Sequence, residues 1–148
     1  MENVRELIQV FVRRFGLLNA NCCENCCGEE VSLVQSHILF EIRRQSNPSM
    51  QRVAEELGMD ITTFSRQIKT LQHKALVTKT SDPEDARVNL LSLTLQGEGV
   101  MRQIDLRMTR YLEQLFANFT EFEREAVIHS IKLLNQALIK TGGCCSPD

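Results

Sequence analysis

The sequence predicts a mainly α-helical fold with a small β-hairpin, on the basis of its hydrophobic periodicity and its turn residues. Apolar residues recur at steps of three and four over most of the 148 residues, which is typical of amphipathic helices. Two short runs, residues 76–80 (LVTKT) and 88–94 (VNLLSLT), are instead typical of strands. The segment SDPEDAR between them consists of turn-forming residues and is too long for a tight hairpin, so we expect an extended tip.

Two predicted helices precede the hairpin. Residues 51–57 carry apolar side chains at helical spacing, and Gly58 follows where a turn is needed. Asp60 is a suitable N-cap for a second helix from Ile61 to about Ala75. Two short helices joined by a glycine turn form a helix-turn-helix, and the hairpin behind them makes it a winged helix-turn-helix. The predicted apolar stripe of the second helix is Ile61, Phe64, Ile68, Leu71 and Ala75.

The opposite face of this second helix is polar. Its hydroxyl, guanidinium and ammonium groups are suited to phosphates and base edges of DNA. We expect Arg87, on the wing, to reach the adjacent minor groove or its phosphates. Charge supports DNA binding only weakly, because residues 43–87 contain eight Lys and Arg against six Asp and Glu in a chain of net charge −2. The residues predicted to face the major groove are Thr62, Thr63, Ser65, Arg66, Lys69 and Thr70.

Further amphipathic helices flank this winged segment. The first spans residues 2–18, and Ser32 with Gln35 forms a capping box that opens another, to about Gln45. The latter should back the helix-turn-helix through Val34, Ile38, Leu39 and Ile42.

The last two predicted helices span residues 97–118 and 121–140, the second opened by a Thr120–Glu123 capping box. They carry apolar residues on more than one face, which requires more than one partner to bury them. We therefore expect a homodimer whose two recognition helices read an inverted repeat of double-stranded DNA. The residues that lie off the main stripes are Leu106, Leu112, Phe116, Ile128, Leu133 and Ile139.

The order of elements, the DPEDAR wing tip and the step Thr94-Leu95-Gln96-Gly97 resemble the MarR family of bacterial transcriptional regulators. The resemblance spans residues 4–140. Asp85 and Arg87 match the acidic residue and arginine of the family's wing, whereas Val88 replaces its frequent second arginine. The resemblance implies a dimeric DNA-binding regulator.

We expect one domain over residues 1–148. Dimerisation helices are predicted at 1–20 and 97–140, and the winged helix-turn-helix at 31–95. A cysteine-rich loop is predicted at residues 21–30, before the winged segment, and a cysteine-containing tail at residues 141–148. No apolar run is long enough to span a membrane and the amino terminus is unlike a signal peptide, so a cytoplasmic location is expected. The sequence contains no phosphate loop, nucleophile elbow or paired carboxylates, so we expect no enzyme.

The cysteines form three adjacent pairs in polar segments. Adjacent residues have Cα atoms about 3.8 Å apart, below the usual disulfide range of about 4.4–6.8 Å, so reduced thiols are expected. Paired thiolates with C-x-x-C spacing favour a soft ion or metalloid. We predict a metal(loid) site formed by Cys22, Cys23, Cys26, Cys27, Cys144 and Cys145.

The predicted function is a repressor released from its operator by a thiophilic ion such as As(III), which needs three thiolates. Zn(II), Cd(II), Cu(I), Hg(II) or an iron–sulfur cluster are alternative occupants. Thiol-based redox sensing is a second hypothesis, because neighbouring exposed thiols form a disulfide after oxidation. A metal carrier or a protein adaptor that uses the winged fold as a scaffold remains a third.

Overall fold

The computed structural model describes residues 3–15 and 31–142, and these ranges contain six helices and one two-stranded antiparallel sheet. The predicted fold class, mainly α with a small β-wing, is confirmed. Within these ranges no helix combines the length and the apolar character that a membrane span requires. In chain order the elements are α1 (Val4–Arg14), α2 (Leu33–Gln45), α3 (Met50–Glu56), α4 (Ile61–His73), β1 (Val77–Ser81), β2 (Asn89–Leu93), α5 (Leu95–Phe116) and α6 (Glu121–Thr141).

The chain divides into two units, Met1–Arg107 and Met108–Asp148, with the boundary inside α5. The first unit contains the helix-turn-helix, the hairpin and the start of α5. The second contains the end of α5 and all of α6.

Helix α2 begins at the predicted capping box. Ser32 Oγ accepts a hydrogen bond from Gln35 N, and Gln35 Oε1 accepts one from Ser32 N, both at 3.2 Å. The prediction that Val34 would back the helix-turn-helix is wrong, since this side chain is 44% exposed. Gln35 takes the buried position of that first turn instead. The predicted core positions farther along the helix are confirmed at Ile38, Leu39 and Ile42.

The turn between α3 and α4 is a Schellman motif. Gly58 N donates to Glu55 O at 3.0 Å and Met59 N donates to Ala54 O at 2.9 Å. Gly58 has a φ of +62°, a left-handed conformation that glycine adopts without steric cost. The glycine turn predicted from the sequence is confirmed.

Helix α4 begins at the predicted N-cap and ends earlier than predicted. Asp60 Oδ1 accepts a hydrogen bond from Thr63 N at 2.9 Å. The chain leaves the helix after His73, and Ala75 has a φ of +58°. A second Schellman motif forms there, in which Leu76 N donates to a carbonyl of the last helical turn.

One face of α4 lies in the core of the first unit. Phe64, Ile68 and Leu71 are at most 1% exposed. Two residues placed on this stripe by the sequence are not buried: Ile61 is 45% exposed and Ala75 is also exposed. Both predictions are wrong because Ile61 opens the helix at the surface and Ala75 lies beyond its end.

The wing is an antiparallel hairpin in which Val77 pairs with Leu93 and Ser81 with Asn89. The first strand therefore begins and ends one residue later than predicted, and the second is one residue shorter at each end. The segment before α3 also contacts β2, because Leu91 N donates to the carbonyl oxygen of Pro48 at 2.9 Å.

Thr94 fixes the step from β2 into α5. Its Oγ1 donates to Ala75 O at 2.6 Å and accepts a hydrogen bond from Gly97 N at 2.9 Å. Because Thr94 caps the helix, α5 begins at Leu95, two residues before its predicted start. Gly97 lies so close to the Leu76 backbone that a Cβ atom there would collide with Leu76 O.

Helix α6 begins at the second predicted capping box. Thr120 Oγ1 accepts a hydrogen bond from Glu123 N at 3.3 Å, and Thr120 N donates to Glu123 Oε2 at 2.8 Å. The helix has no buried residue. Its apolar side chains at least 39% exposed are Phe122, Ile128, Ile131, Leu133, Leu134, Leu138 and Ile139.

Helix α1 also lacks a buried residue. It is capped by Asn3, whose Oδ1 accepts a hydrogen bond from Glu6 N at 3.4 Å. It ends at Arg14, with Phe15 as C-cap, and is therefore shorter than the predicted helix over residues 2–18. Its apolar side chains at least 39% exposed are Val4, Leu7, Ile8, Phe11 and Phe15.

Candidate nucleic-acid interface

The outward face of α4 carries the six residues predicted to face the major groove. Because the opposite face lies in the core, this polar face points away from the core. Five of these side chains are exposed, and Ser65 is partly buried. The exposed ones are Thr62, Thr63, Arg66, Lys69 and Thr70.

One of these residues takes part in the N-cap of α4. The hydroxyl and the backbone N–H of Thr63 donate to the Asp60 carboxylate, and these bonds hold the pKa of Asp60 below its ordinary value of 3.8. The carboxylate is therefore ionised at neutral pH, next to the positive end of the helix dipole. The Thr63 hydroxyl keeps only its acceptor lone pairs for a group on DNA.

A second hydroxyl is also engaged within the helix. Thr70 Oγ1 donates to Arg66 O at 3.1 Å. Arg66 and Lys69 are thus the strongest hydrogen-bond donors on this face, and Arg66 presents the planar fork that pairs with a guanine edge or a phosphate.

The wing tip is braced by short side-chain to backbone hydrogen bonds. Asp82 Oδ1 accepts one from Glu84 N at 2.9 Å, and Asp85 Oδ1 accepts one from Arg87 N at 3.1 Å. Asp85 also pairs with Arg87 Nε at 3.2 Å, while the Arg87 side chain is 90% exposed. The carboxylate therefore orients the guanidinium at the tip, and the terminal nitrogens retain further N–H donors.

A concave surface of about 330 Å³ lies where the starts of α3 and α4 meet the wing. It brings together two of the predicted DNA contacts, Ser65 from α4 and Arg87 from the wing. The other five predicted contacts do not line it and lie elsewhere on α4. The remaining lining residues are Ser49, Met50, Gln51, Ile61, Val88 and Asn89.

Sequence reasoning missed the polar residues Ser49, Gln51 and Asn89 on this surface. Ser49 reaches it because the segment before α3 pairs with β2, where Ser49 forms a bridge with Leu90. This pairing is between residues about forty positions apart, and no local pattern in the sequence indicates it.

The predicted metal(loid) ligands lie outside the described residues. Cys22, Cys23, Cys26 and Cys27 fall within residues 16–30, and Cys144 and Cys145 within residues 143–148. Over residues 3–15 and 31–142, no group of three or more His, Cys, Asp or Glu side chains is arranged to hold a metal ion. The cysteine site stays a prediction.

Comparison with known proteins gives a family and a fold. Residues 31–88 match the model of the MarR family. The chain is 29% identical over 105 residues to the uncharacterized HTH-type transcriptional regulator YxaD of Bacillus subtilis (strain 168), covering 70% of this chain and 73% of the relative.

Solved structures share the fold at low identity. FabT of Streptococcus pneumoniae, in complex with DNA, is similar with a TM-score of 0.81 at 17% identity, over 93% of this chain and 96% of that chain. The PcaV transcriptional regulator of Streptomyces coelicolor, in complex with its natural ligand, is similar with a TM-score of 0.71 at 23% identity, over 93% of this chain and 97% of that chain.

The segment that matches the family is the one that carries the predicted DNA contacts. The match runs from α2 to the wing tip and ends just before β2, so it includes the polar face of α4 and the tip arginine. MarR family members are transcription regulators and not enzymes, as the sequence predicted for this chain. Residues 31–88 of this chain therefore match the MarR family of winged-helix, DNA-binding transcriptional regulators.

Proposed function

We propose that this protein is a homodimeric repressor that reads an inverted-repeat operator and releases it when a thiophilic metal or metalloid binds its cysteines. The observation that carries the DNA-reading part is the outward face of α4. Its donors Arg66 and Lys69 are exposed, while the opposite face of the same helix is anchored in the core. This arrangement fits a recognition helix in the major groove.

The wing supplies a second contact in this proposal. Arg87 projects from the braced tip and is 90% exposed, so its guanidinium is available to the adjacent minor groove or its phosphates. The concave surface between the starts of α3 and α4 and the wing gives the sugar-phosphate backbone room to pass between these contacts.

The homodimer is supported by the exposed apolar surfaces of α1 and α6. Neither helix has a buried residue, although both carry several large apolar side chains. Such patches are rare on monomeric soluble proteins and mark interaction surfaces. A second copy of the chain is the partner that also explains the operator, because two-fold symmetry in the protein matches an inverted repeat in the DNA.

The DNA-reading proposal is tested by selecting a duplex from a random-sequence library with the wild-type protein. Arg66→Ala should weaken binding to the selected duplex by about 1–3 kcal/mol, the discrimination that a bidentate contact to a base supplies. Arg124→Ala, an exposed arginine on α6, is the matched control and should leave affinity unchanged apart from a small charge effect. Equal affinities for wild type and Arg66→Ala would refute the base contact.

The effector part of the proposal is supported by the chemistry of the thiols. The chain has six cysteines in three adjacent pairs, four of them just ahead of α2 in the sequence. Thiolates are soft anionic ligands, and As(III) requires three of them. Binding must favour one arrangement of the protein over another for the operator to be released.

The effector is tested by titrating the reduced protein on its selected duplex with As(III), Cd(II), Zn(II), Cu(I) and peroxide in separate experiments. Release by a soft ion, abolished by serine at positions 22, 23, 26 and 27, is the expected result. Release by peroxide alone would establish thiol redox sensing instead. Binding that none of these agents changes would refute control through the cysteines.

A further inference from the structure

The side-chain amide of Gln35 joins the first turn of α2 to α4. Gln35 is 6% exposed. Its Oε1 accepts hydrogen bonds from Ser32 N at 3.2 Å and from Lys74 Nζ at 3.0 Å. Its Nε2 donates to Gln67 Oε1 at 3.2 Å. One buried carboxamide thus connects the N-cap of α2 with Gln67 inside α4 and with Lys74, the C-cap of α4.

The orientation of this carboxamide is determined by its partners. A backbone N–H and an ammonium group only donate, so the atom that faces Ser32 and Lys74 must be the oxygen. The amide nitrogen then faces Gln67, which must present its own oxygen as the acceptor. The arrangement is satisfied in one way, so turning either amide over would leave donor against donor or acceptor against acceptor.

Gln67 lies at the edge of the buried face of α4, one position beyond Arg66. Successive residues are about 100° apart around the helix axis, so any rotation that moves Gln67 moves Arg66 with it. At a side-chain radius of about 5–6 Å, a rotation of about 10° displaces a tip by about 1 Å. A displacement of that size takes a base contact out of hydrogen-bonding geometry.

We infer that Gln35 is a positioning residue for DNA recognition. The buried apolar stripe determines which face of α4 points outward, and Gln35 holds the final rotation of the helix through Gln67 and Lys74. The inference rests on the proposed function, in which α4 enters the major groove. It also gives a route of control. In the sequence, four cysteines lie within residues 16–30, shortly before Ser32. A movement of Ser32 would be passed to α4 through the hydrogen bonds from Ser32 to Gln35 and from Gln35 to Gln67.

A double-mutant cycle on the full-length protein tests the inference with the duplex selected by the wild type. Ser32→Ala removes the Oγ that accepts from Gln35 N and so loosens the first turn of α2. Gln67→Met removes the acceptor of the Gln35 amide but keeps side-chain length and helix propensity. Ser32→Ala should lower affinity for the selected duplex about fivefold in the wild-type background and less than about twofold in the Gln67→Met background.

Three controls separate positioning from general destabilisation. Thr120→Ala breaks the equivalent capping box of α6, and its effect should be the same with and without Gln67→Met. Affinity for a duplex of unrelated sequence should stay constant in the Ser32→Ala, Gln67→Met and Thr120→Ala variants, because nonspecific binding depends on phosphate contacts rather than on the rotation of one helix. Gln67→Glu, which keeps an acceptor oxygen, should retain the fivefold response to Ser32→Ala.

The possible results are distinguishable. If the Ser32→Ala effect is equal in the Gln67→Met and wild-type backgrounds, the positioning role of Gln35 is overturned while the DNA-reading function stands. If affinities for selected and unrelated duplexes fall together, the bonds are only structural and the inference is overturned as well. If the wild type selects no sequence, the proposed function fails and this inference fails with it.

Discussion

Helices α4 and α6 both carry apolar residues and both begin at a side-chain N-cap, yet within residues 3–15 and 31–142 the central apolar residues of α4 are buried and those of α6 are exposed. Phe64, Ile68 and Leu71 of α4 are at most 1% exposed, whereas Leu134 and Leu138 of α6 are 59% and 56% exposed. Burial of one such side chain is worth about 1.5–3 kcal/mol. Folding therefore supplies this stabilisation to α4, and in the proposed homodimer association supplies it to α6.

The difference assigns separate tasks to the two helices. A recognition helix must keep one orientation, and the buried stripe of α4 supplies it before DNA is present. The exposed apolar surface of α6 is suited to binding a second chain after the first has folded. Four predictions test this difference between the two helices.

The largest effect is expected from Gly97→Ala in the first unit. The added Cβ would collide with the backbone oxygen of Leu76, which no side-chain rotation can relieve. We expect a loss of about 3 kcal/mol or more in the free energy of unfolding, measured by urea denaturation. Gly99→Ala is the control, because the nearest atom to its Cβ is Arg102 Nη2 at 3.9 Å, and it should be neutral or stabilising. Similar losses for both variants would contradict the account of Gly97.

The next effect concerns α6. Leu134→Asp places a charge on the exposed apolar surface and should raise the dimer dissociation constant at least about hundredfold, which corresponds to about 2.7 kcal/mol. Sedimentation velocity over a range of protein concentrations measures it. Gln136→Asp adds the same carboxylate at an exposed polar position of the same helix and should change the constant little. If the Leu134→Asp protein has the same dimer dissociation constant as the wild type, α6 is not part of the dimer interface.

A smaller effect is expected from replacing alanine by glycine, which should change stability in opposite directions after α4 and inside α6. Ala75 follows α4 at a φ of +58°, so Ala75→Gly should relieve strain and raise stability by about 0.5–1 kcal/mol. Ala126→Gly, inside α6, should instead lower stability by up to about 1 kcal/mol because glycine is a poor helix former. Thermal unfolding measures both. The same sign for both variants would show that the conformation at residue 75 is not strained.

The smallest effect is a pH dependence from the N-cap of α4. The pKa of Asp60 is lowered by hydrogen bonds from Thr63 in the folded state, so its contribution is present above the ordinary value of 3.8 and is lost as pH falls through the lowered value. Asp60→Asn keeps a capping oxygen but cannot titrate. The stability of the variant should fall less than that of the wild type over this acidic window, as measured by thermal unfolding. Parallel pH profiles would contradict this role of Asp60.

Local signals in the sequence predicted much of this fold. Both capping boxes, the glycine turn at Gly58 and the Asp60 N-cap were found because each depends on residues three or four positions apart. The end of α4 was missed because an alanine at residue 75 gives no sign of a left-handed conformation, which glycine normally supplies.

The candidate interface was predicted only in part, for a different physical reason. The polar residues of α4 follow from helical periodicity alone. The contribution of Ser49 and Asn89 depends on strand pairing between distant segments, and the Gln35–Gln67 hydrogen bond joins residues 32 positions apart. Contacts of that kind arise from tertiary packing and leave no periodic trace in the sequence.

In the proposed complex, the first unit reads DNA while apolar surfaces such as that of α6 bring two copies together on one operator. The most direct measurement compares the affinity and stoichiometry of the protein on a selected inverted-repeat duplex and on a duplex with one half-site scrambled. We expect two chains on the intact repeat, a large loss of affinity for the half-site duplex, and a much smaller difference between the two duplexes for Leu134→Asp. One chain bound with equal affinity to both duplexes would contradict it.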